Sequence, residues 1–169
     1  MAGAEGSRAA ARLRRWLQHP LTVGIDVDDP RTTAFRRQII RENSFLCRIY
    51  ADWHARLATD LPPGPLPALE LGTGATSLRD VVPRLITSEV FPCPDVDLVL
   101  SATHLPFAAA SLRGIVMTDV LHHVRGVREL FGEAARCVVP GGVLALIEPW
   151  VTPWSRFVYP RLHHEPFRP

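Results

Sequence analysis

Apolar residues in the first third of the chain recur at helical spacing. From position 30 to position 58 they follow one another at steps of three and four residues, which places them on one face of a helix. Asn43 and Ser44 interrupt this pattern and predict two successive helices. Segment 7–17 contains four arginines and predicts a basic helix or a solvated tail. The proline-rich stretch 61–67 cannot continue a helix, because each proline removes an amide donor and restricts the residue before it.

Beyond this linker the pattern changes to short apolar runs separated by longer segments. Such alternation is typical of a parallel sheet with crossover connections. Crossover helices are predicted at 78–84 and 127–138, the second ending before the Pro-Gly-Gly segment 140–142. Segment 89–96 is too short for a crossover helix, so we expect an extended connection there. Strands are predicted at 68–71, 85–88, 97–100, 114–118 and 143–147.

Composition excludes several classes of protein. A hydrophobic content of 47% over 169 residues is sufficient for one buried core. The formal net charge of +2 argues against nucleic-acid binding and favours a small-molecule partner. The three cysteines form no Cys-x-x-Cys pair, so neither a disulfide framework nor a zinc site is indicated and a cytoplasmic setting is expected. No apolar run is long enough to span a membrane, and the oligomeric state is left open.

A glycine-rich turn follows the first predicted strand directly. Gly72 and Gly74 allow a positive φ and let the backbone approach a ligand closely. Such a turn alone is also compatible with nicotinamide and flavin folds, or with no ligand. Glu70 precedes the first glycine by two residues, where a carboxylate would repel a pyrophosphate and attract the ammonium group of a bound amino acid. This charge favours S-adenosylmethionine over a dinucleotide.

A second acidic residue follows the second predicted strand. Glu89 lies 19 residues after Glu70, and an acid about 20 residues on from a glycine turn is placed to accept both ribose hydroxyls of a nucleoside cofactor. The alternative is that Glu89 is an ordinary surface glutamate. Its place at the carboxyl end of a strand favours the binding role.

Four segments in this order resemble the motifs of small-molecule class I S-adenosylmethionine-dependent methyltransferases. They cover roughly residues 66 to 150. The segments are 70–74 (Glu-Leu-Gly-Thr-Gly), 101–107 (Ser-Ala-Thr-His-Leu-Pro-Phe), 114–123 (Gly-Ile-Val-Met-Thr-Asp-Val-Leu-His-His) and 140–142 (Pro-Gly-Gly).

The resemblance implies a cofactor, S-adenosyl-L-methionine, and a place for each residue around it. It implies that Gly72 and Gly74 pass beneath the methionine part and that Glu89 holds the ribose. By the same resemblance the adenine lies beside Ser101 and Ala102. The other side of the cofactor is lined by Thr118 and Asp119.

Two histidines follow the fourth predicted strand. At His122 and His123 an imidazole can accept a proton from a substrate hydroxyl, amine or acidic carbon. Both are therefore candidate catalytic bases; the alternative is that they shape the pocket or pack against the next helix. His163, His164 and Glu165 do not predict a metal site, because adjacent side chains diverge and no further ligand cluster is evident.

This sequence departs from the family pattern at two positions. Thr76 stands where many members have a third glycine, and Ser101 stands where many have an aspartate that binds the adenine amino group. A serine accepts such a bond without the assistance of charge. The activity expected from the resemblance is methyl transfer to a small-molecule or lipid-like substrate. A degenerate, non-catalytic binding module and an NAD-dependent oxidoreductase remain as alternatives.

The expected fold is α/β, a Rossmann-like, doubly wound and mostly parallel sheet of about five strands with N-terminal helices as a lid. The sheet is expected to stop at five strands because the segment after position 147 is short and rich in proline, and a shortened chain is considered. Trp150, Trp154 and Phe157 are expected to fold back over the sheet edge or the pocket. The predicted organisation is a tail or helix at 1–29, a helical lid at 30–60, a methyltransferase core at 66–150 and a proline- and aromatic-rich tail at 151–169.

Overall fold

The computed structural model describes residues 19–25, 31–150, 152, 153, 155 and 156. Residues 36–148 form one compact unit, and the described residues before and after them belong to a second. The predicted basic segment 7–17 lies outside the described residues, as do Trp154, Phe157 and segment 163–165. Trp150 belongs to the second unit, and its expected place over the sheet edge or the pocket stays a prediction.

Two helices precede the sheet, as the apolar spacing predicts. Helix α1 is Arg31–Glu42 and helix α2 is Ser44–Asp60. Asn43 separates them because its side-chain oxygen accepts hydrogen bonds from the first amides of α2, at 3.0 and 3.2 Å. Helix α2 ends at the proline-rich linker, which contains no helix. Whether these helices act as a lid stays a prediction.

The core of the larger unit is a five-stranded, fully parallel sheet, which confirms the predicted fold class. Its spatial order is β3-β2-β1-β4-β5, so the chain reverses direction across the sheet between β1 and β4. The connection between β2 and β3 contains no helix, as its length predicts. The strands are β1 (Ala68–Leu71), β2 (Leu85–Glu89), β3 (Leu98–Val99), β4 (Leu112–Thr118) and β5 (Val138–Ile147).

Apolar side chains cover both faces of the two central strands. On one face Leu69 and Met117 pack with Leu130 of helix α3 (Val127–Cys137). On the other face Ala68 and Val116 pack with Leu57 of α2. Strand β1 is buried at every position, which explains why its sequence is a continuous apolar run apart from Glu70.

The predicted crossover helix at 78–84 is wrong. The structure has only one turn of 3-10 helix, Leu78–Asp80, closed by a 3.0 Å bond from the amide of Val81 to the carbonyl of Leu78. Pro83 disfavours helical geometry at the residue before it, and Arg84 has a φ of +55°. Apolar spacing is therefore outweighed here by the backbone preferences of proline.

Strand β5 begins earlier than predicted, directly after α3. Its pairing with β4 is irregular, because Leu112 is opposite Val138 but Gly114 is opposite Val143. The Pro-Gly-Gly segment 140–142 lies inside this strand as a bulged stretch rather than before it. Gly142 is required there, since a Cβ atom would lie 2.7 Å from the carbonyl oxygen of Arg113.

Candidate functional site

The turn after β1 is built on two glycines with left-handed backbone conformation. Gly72 has a φ of +63° and Gly74 a φ of +55°. Between them, the amide of Thr73 donates to the carbonyl of Ser88 on β2 at 3.0 Å. The turn is thus tied to the neighbouring strand. Because Gly72 and Gly74 have no Cβ atom, a ligand can approach the backbone of the turn closely.

Val120 packs against this turn from the adjacent strand end. A Cβ atom added at Gly72 would lie 2.4 Å from one methyl carbon of Val120, whereas one added at Gly74 would make only ordinary contacts at 3.6 and 3.7 Å. Strands β1 and β4 are neighbours, so the segments that follow them meet at the same edge of the sheet. The contact brings the segment that starts with Thr118 against the glycine turn.

Glu70 is buried and holds the chain that follows the glycine turn. It is 3% exposed. Its Oε2 accepts hydrogen bonds from the hydroxyls of Ser77 at 2.9 Å and Thr73 at 3.3 Å, and its Oε1 accepts from the amide of Leu78 at 3.2 Å. Burial raises its pKa to about 7, although these donors and Arg79 oppose the rise. Direct contact between Glu70 and a bound ammonium group stays a prediction.

Glu89 closes the turn from the side of β2. Its Oε1 accepts a hydrogen bond of 2.6 Å from the amide of Gly74, and its Oε2 accepts one of 3.2 Å from the amide of Val90. The side chain is 8% exposed, so the surface-glutamate alternative does not describe its surroundings. A carboxylate therefore lies beside the glycine turn at the carboxyl end of β2.

Ser101 and Ala102 follow strand β3, the outer neighbour of β2, at the same edge of the sheet. Leu100 donates its amide to the carbonyl of Glu89 at 2.9 Å, which fixes the start of this segment beside β2. The hydroxyl of Ser101 is 2.9 Å from that of Thr103. Ser101 is exposed, and this local bond leaves its adenine-binding role a prediction.

The end of β4 presents two polar residues with unusual environments. The hydroxyl oxygen of Thr118 is buried and has no hydrogen-bond partner in the described part of the chain. Asp119 has a φ of +56°, a strained conformation for an aspartate and one that is enriched at functional sites. Burial, and secondarily the charge of Glu148, raise the pKa of the Asp119 carboxyl.

Glu148 is a residue of this site that sequence reasoning missed. It follows β5 and places one carboxylate oxygen 2.7 Å from Nδ1 of His122. The ring of His123 lies against that of His122, with the centroids 4.0 Å apart. An acidic residue immediately after the last predicted strand was the signal, because the carboxyl ends of parallel strands share one edge of the sheet.

Tyr50 of helix α2 is a second residue that sequence reasoning missed. Burial raises the pKa of its hydroxyl, and the negative charge of Asp119 adds to this effect. Tyr50 also makes an edge-on ring contact with Trp53, at a centroid distance of 5.2 Å. The spacing of these residues indicated only an apolar helix face.

These features together fit a nucleoside-containing methyl donor. The turn lacks Cβ atoms at two left-handed positions, a carboxylate lies beside it, and a buried hydroxyl at the end of β4 lacks a partner. An open groove of about 520 Å³ lies elsewhere, between α3 and β5, and is lined by residues such as Phe131, Arg136 and Pro140. None of the candidate residues lines that groove. The groove and the candidate site at the strand ends are therefore different places.

Among the described residues, no three His, Cys, Asp or Glu side chains are grouped so that they could share a metal ion. The same part of the chain contains no helix that is both long enough and apolar enough to cross a bilayer.

Known proteins resemble this chain in sequence and in fold. Residues 70–146 match the family model of a methyltransferase domain. No curated protein matches the chain. Three similar solved structures illustrate the likeness.

The first is geranyl diphosphate C-methyltransferase of Streptomyces coelicolor A3(2), solved with Mg²⁺, geranyl diphosphate and S-adenosyl-L-homocysteine. It is 14% identical, with a TM-score of 0.56 over 93% of this chain and 72% of that one. The second, from Methanococcus maripaludis, is assigned as an S-adenosyl-L-methionine-dependent methyltransferase. It is 12% identical, with a TM-score of 0.54 over 70% and 64% of the two chains.

The third is a Haloferax volcanii protein assigned as a methyltransferase, in complex with the Trm112 methyltransferase activator; it is 22% identical, with a TM-score of 0.49, and 70% of this chain covers 58% of it. The present chain thus spans less than two thirds of the Haloferax and Methanococcus proteins. At these identities the likeness to the Streptomyces and Methanococcus proteins establishes the fold alone. Together with the match of residues 70–146 to the methyltransferase-domain family model, it shows that this chain has the class I methyltransferase fold.

Proposed function

We propose that this protein transfers a methyl group from S-adenosylmethionine to a small-molecule or lipid-like acceptor. The observation that carries the proposal is the 2.6 Å hydrogen bond between the buried Glu89 carboxylate and the amide of Gly74. This bond links the glycine turn to Glu89, the proposed ribose-binding acid. Both lie at the edge of the sheet where the strand order reverses.

This proposal gives each candidate residue a role. Glu70 holds the turn through Ser77 and Leu78 and so keeps Gly72 and Gly74 beneath the methionine part. The second oxygen of Glu89 binds the ribose hydroxyls. The remaining roles belong to Ser101 and Ala102 beside the adenine, to Thr118 and Asp119 on the opposite side, and to His122 and His123 as candidate bases.

When bound, the cofactor supplies a methyl carbon that is activated by its attachment to a positively charged sulfur. The chain then has to hold the acceptor in line with that carbon, and such positioning supplies much of the rate. The buried hydroxyl of Thr118, which lacks a partner within the described residues, is available for a ligand at this point. A non-catalytic binding module would bind the cofactor or its product in the same way without transferring the methyl group.

We expect S-adenosylhomocysteine to raise the melting temperature of this protein while NAD does not. A ligand that binds only the folded state at 100 times its Kd stabilises that state by about 2.7 kcal/mol. For a chain of this length that corresponds to roughly 5–10 °C. Differential scanning fluorimetry with each ligand tests this. A shift with NAD alone would favour the oxidoreductase alternative, and no shift with either would favour a degenerate module.

We expect Glu89→Ala to weaken the binding of S-adenosylhomocysteine by about 1–3 kcal/mol, because buried ribose hydroxyls lose a charged acceptor. Calorimetry should then show a Kd raised about 5- to 150-fold. Glu42→Ala, the same change at an exposed position on α1, is the matched control and should bind normally. If a folded Glu89→Ala protein keeps the wild-type Kd, Glu89 is not part of the site.

A further inference from the structure

We propose that Glu148 is a positioning residue that holds His122 as the proton acceptor of this site, so that the methyl acceptor is a nucleophile that carries a proton, such as a hydroxyl or an amine. This inference rests on the proposed methyl-transfer function. It adds a residue outside the four family-like segments and narrows the class of substrate.

The carboxylate of Glu148 is held by hydrogen bonds at both of its oxygens. Its Oε1 accepts hydrogen bonds from the amides of Val120 at 2.9 Å and Leu121 at 2.7 Å. Its Oε2 is 2.7 Å from Nδ1 of His122. The Glu148 side chain is 17% exposed and that of His122 is 25% exposed. One carboxylate therefore orients both the backbone of the segment after β4 and the imidazole ring attached to it.

The contact with Glu148 determines which ring nitrogen of His122 carries the proton. An ionised carboxylate only accepts hydrogen bonds, so the proton in the short contact belongs to Nδ1 of the ring. The other nitrogen, Nε2, then carries a lone pair when the ring is neutral. Within the described residues no hydrogen bond involves Nε2, which is thus free to accept a proton from a ligand.

The His122–Glu148 pair lies where the segments after β4 and β5 run side by side. The amide of Asp119 donates to the carbonyl of Ile147 at 2.9 Å, so the segments after β4 and β5 run side by side. Val120, whose amide Glu148 holds, packs against Gly72 of the glycine turn. The His122–Glu148 pair thus lies at the same sheet edge as the proposed cofactor site. Burial raises the pKa of the Asp119 carboxyl, the charge of Glu148 raises it further, and His122 opposes the rise.

In the reaction that we infer, the lone pair of the acceptor oxygen or nitrogen forms the new bond to the methyl carbon. The bond between that carbon and sulfur breaks, and its electron pair stays on the sulfur. The proton of the acceptor passes to Nε2 of His122, and the resulting imidazolium ion is stabilised by the Glu148 carboxylate. Deprotonation by solvent then restores the neutral ring. A positioned base of this kind contributes about 10²–10⁴-fold to a rate.

The test exchanges Glu148 for glutamine, which preserves the shape of the side chain but reverses one hydrogen bond. In Glu148→Gln the amide oxygen can still accept from Val120 and Leu121. The amide NH₂ group can only donate to His122, so the lone pair moves to Nδ1 and the proton to Nε2. In hydrolase triads the corresponding Asp-to-Asn change acts through the same wrong tautomer.

Two-bond ¹⁵N–¹H correlation spectra of histidine-labelled protein report the tautomer directly, at a pH where the ring is neutral. We expect wild-type His122 to carry its proton on Nδ1 and the Glu148→Gln protein to carry it on Nε2. His122→Gln removes one of seven histidine signals and so assigns the resonance. Glu133→Gln alters another carboxylate that accepts from a backbone amide, that of Leu105 at 2.7 Å, and should leave the His122 tautomer unchanged.

Reactivity gives an independent reading that needs no methyl acceptor. Diethyl pyrocarbonate attacks an imidazole nitrogen that has a free lone pair. Peptide mapping should find wild-type His122 modified, and Glu148→Gln should lose this modification because the remaining lone pair is engaged by the glutamine.

Wild-type protein in which neutral His122 carries its proton on Nε2 overturns the inference, even if Glu148→Gln fails to fold. An unchanged tautomer in a folded Glu148→Gln protein overturns it as well. The S-adenosylhomocysteine melting experiment separates this from the proposed function. A wild type that does not bind that ligand but shows the Nδ1–H tautomer contradicts methyl transfer alone, whereas binding with the wrong tautomer contradicts only the role of Glu148.

Discussion

Gly72→Ala is expected to lower the free energy of unfolding by about 2–5 kcal/mol. About 1–2 kcal/mol of this arises because a residue with a Cβ atom is strained at the left-handed φ of Gly72. A further 1–3 kcal/mol, approximately, arises from overpacking, since the new methyl group would lie 2.4 Å from Val120. Valine is stiff at χ1 and cannot turn away easily. Urea denaturation with a constant m value measures the loss.

Gly74→Ala is the matched control for this prediction. It shares the left-handed φ, but the new atom would make only ordinary van der Waals contacts, so it should lose only about 1–2 kcal/mol. Adding Val120→Ala to Gly72→Ala should recover part of the loss, with a coupling energy of about 0.5–3 kcal/mol. Equal losses at the two glycines, or no coupling with Val120, would contradict the close contact between the glycine turn and the segment after β4.

Glu70→Gln is expected to flatten the pH dependence of stability. The pKa of the buried Glu70 carboxyl is about 7 in the folded protein, against 4.5 for an ordinary glutamate. Between these values the folded state binds a proton that the unfolded state has released. The stabilisation that comes from this proton is therefore fully present below pH 4.5 and is lost as the pH rises through 7. The total loss is about 3 kcal/mol.

Glutamine imitates the protonated form of Glu70. Its oxygen can accept from the amide of Leu78, and its NH₂ group can donate to the hydroxyl of Ser77. The unfolding free energy of Glu70→Gln relative to wild type should thus rise by about 3 kcal/mol from pH 4.5 to pH 8. Glu42→Gln at an exposed position is the control and should follow the wild-type curve. A Glu70→Gln curve parallel to that of wild type would show that the carboxyl is already ionised throughout this range.

Both predictions concern the same physical problem, which is how a polar ligand site is built beside a buried strand end. The glycine turn needs left-handed backbone, and the Glu70 carboxyl that supports it has to be removed from water. Hydrogen bonds from Ser77, Thr73 and Leu78 offset part of that desolvation. The remainder shows as the raised pKa.

Much of the fold was predictable because its signals are local. Apolar runs bounded by Gly and Pro predicted all five strands, and the side-chain oxygen of Asn43 separates the two N-terminal helices as the sequence indicated. The failure at 78–84 has a local cause as well. Apolar spacing there resembles a helix, but the conformational restriction imposed by Pro83 dominates over so short a segment.

The candidate site was predictable only in part. The place of Glu89 beside the glycine turn followed from its spacing along the sequence, since an acid about 20 residues after such a turn lies at the end of the next parallel strand. The environment of Glu70 did not follow in the same way. Its charge suggested a partner in the ligand, whereas the structure shows that the donors of segment 73–78 occupy both of its oxygens.

The sequence by itself determined the parallel α/β architecture, the glycine turn and the acids beside it, because these depend on the backbone preferences of residues close together in the chain. Only the tertiary structure decided that Glu148 meets His122, 26 residues away. The contact between Glu148 and His122 depends on the pairing of β4 with β5 and on the bulge in their register. Strand β4 is buried along nearly its whole length, so its own sequence lacks the alternation of apolar and polar residues that would specify its register.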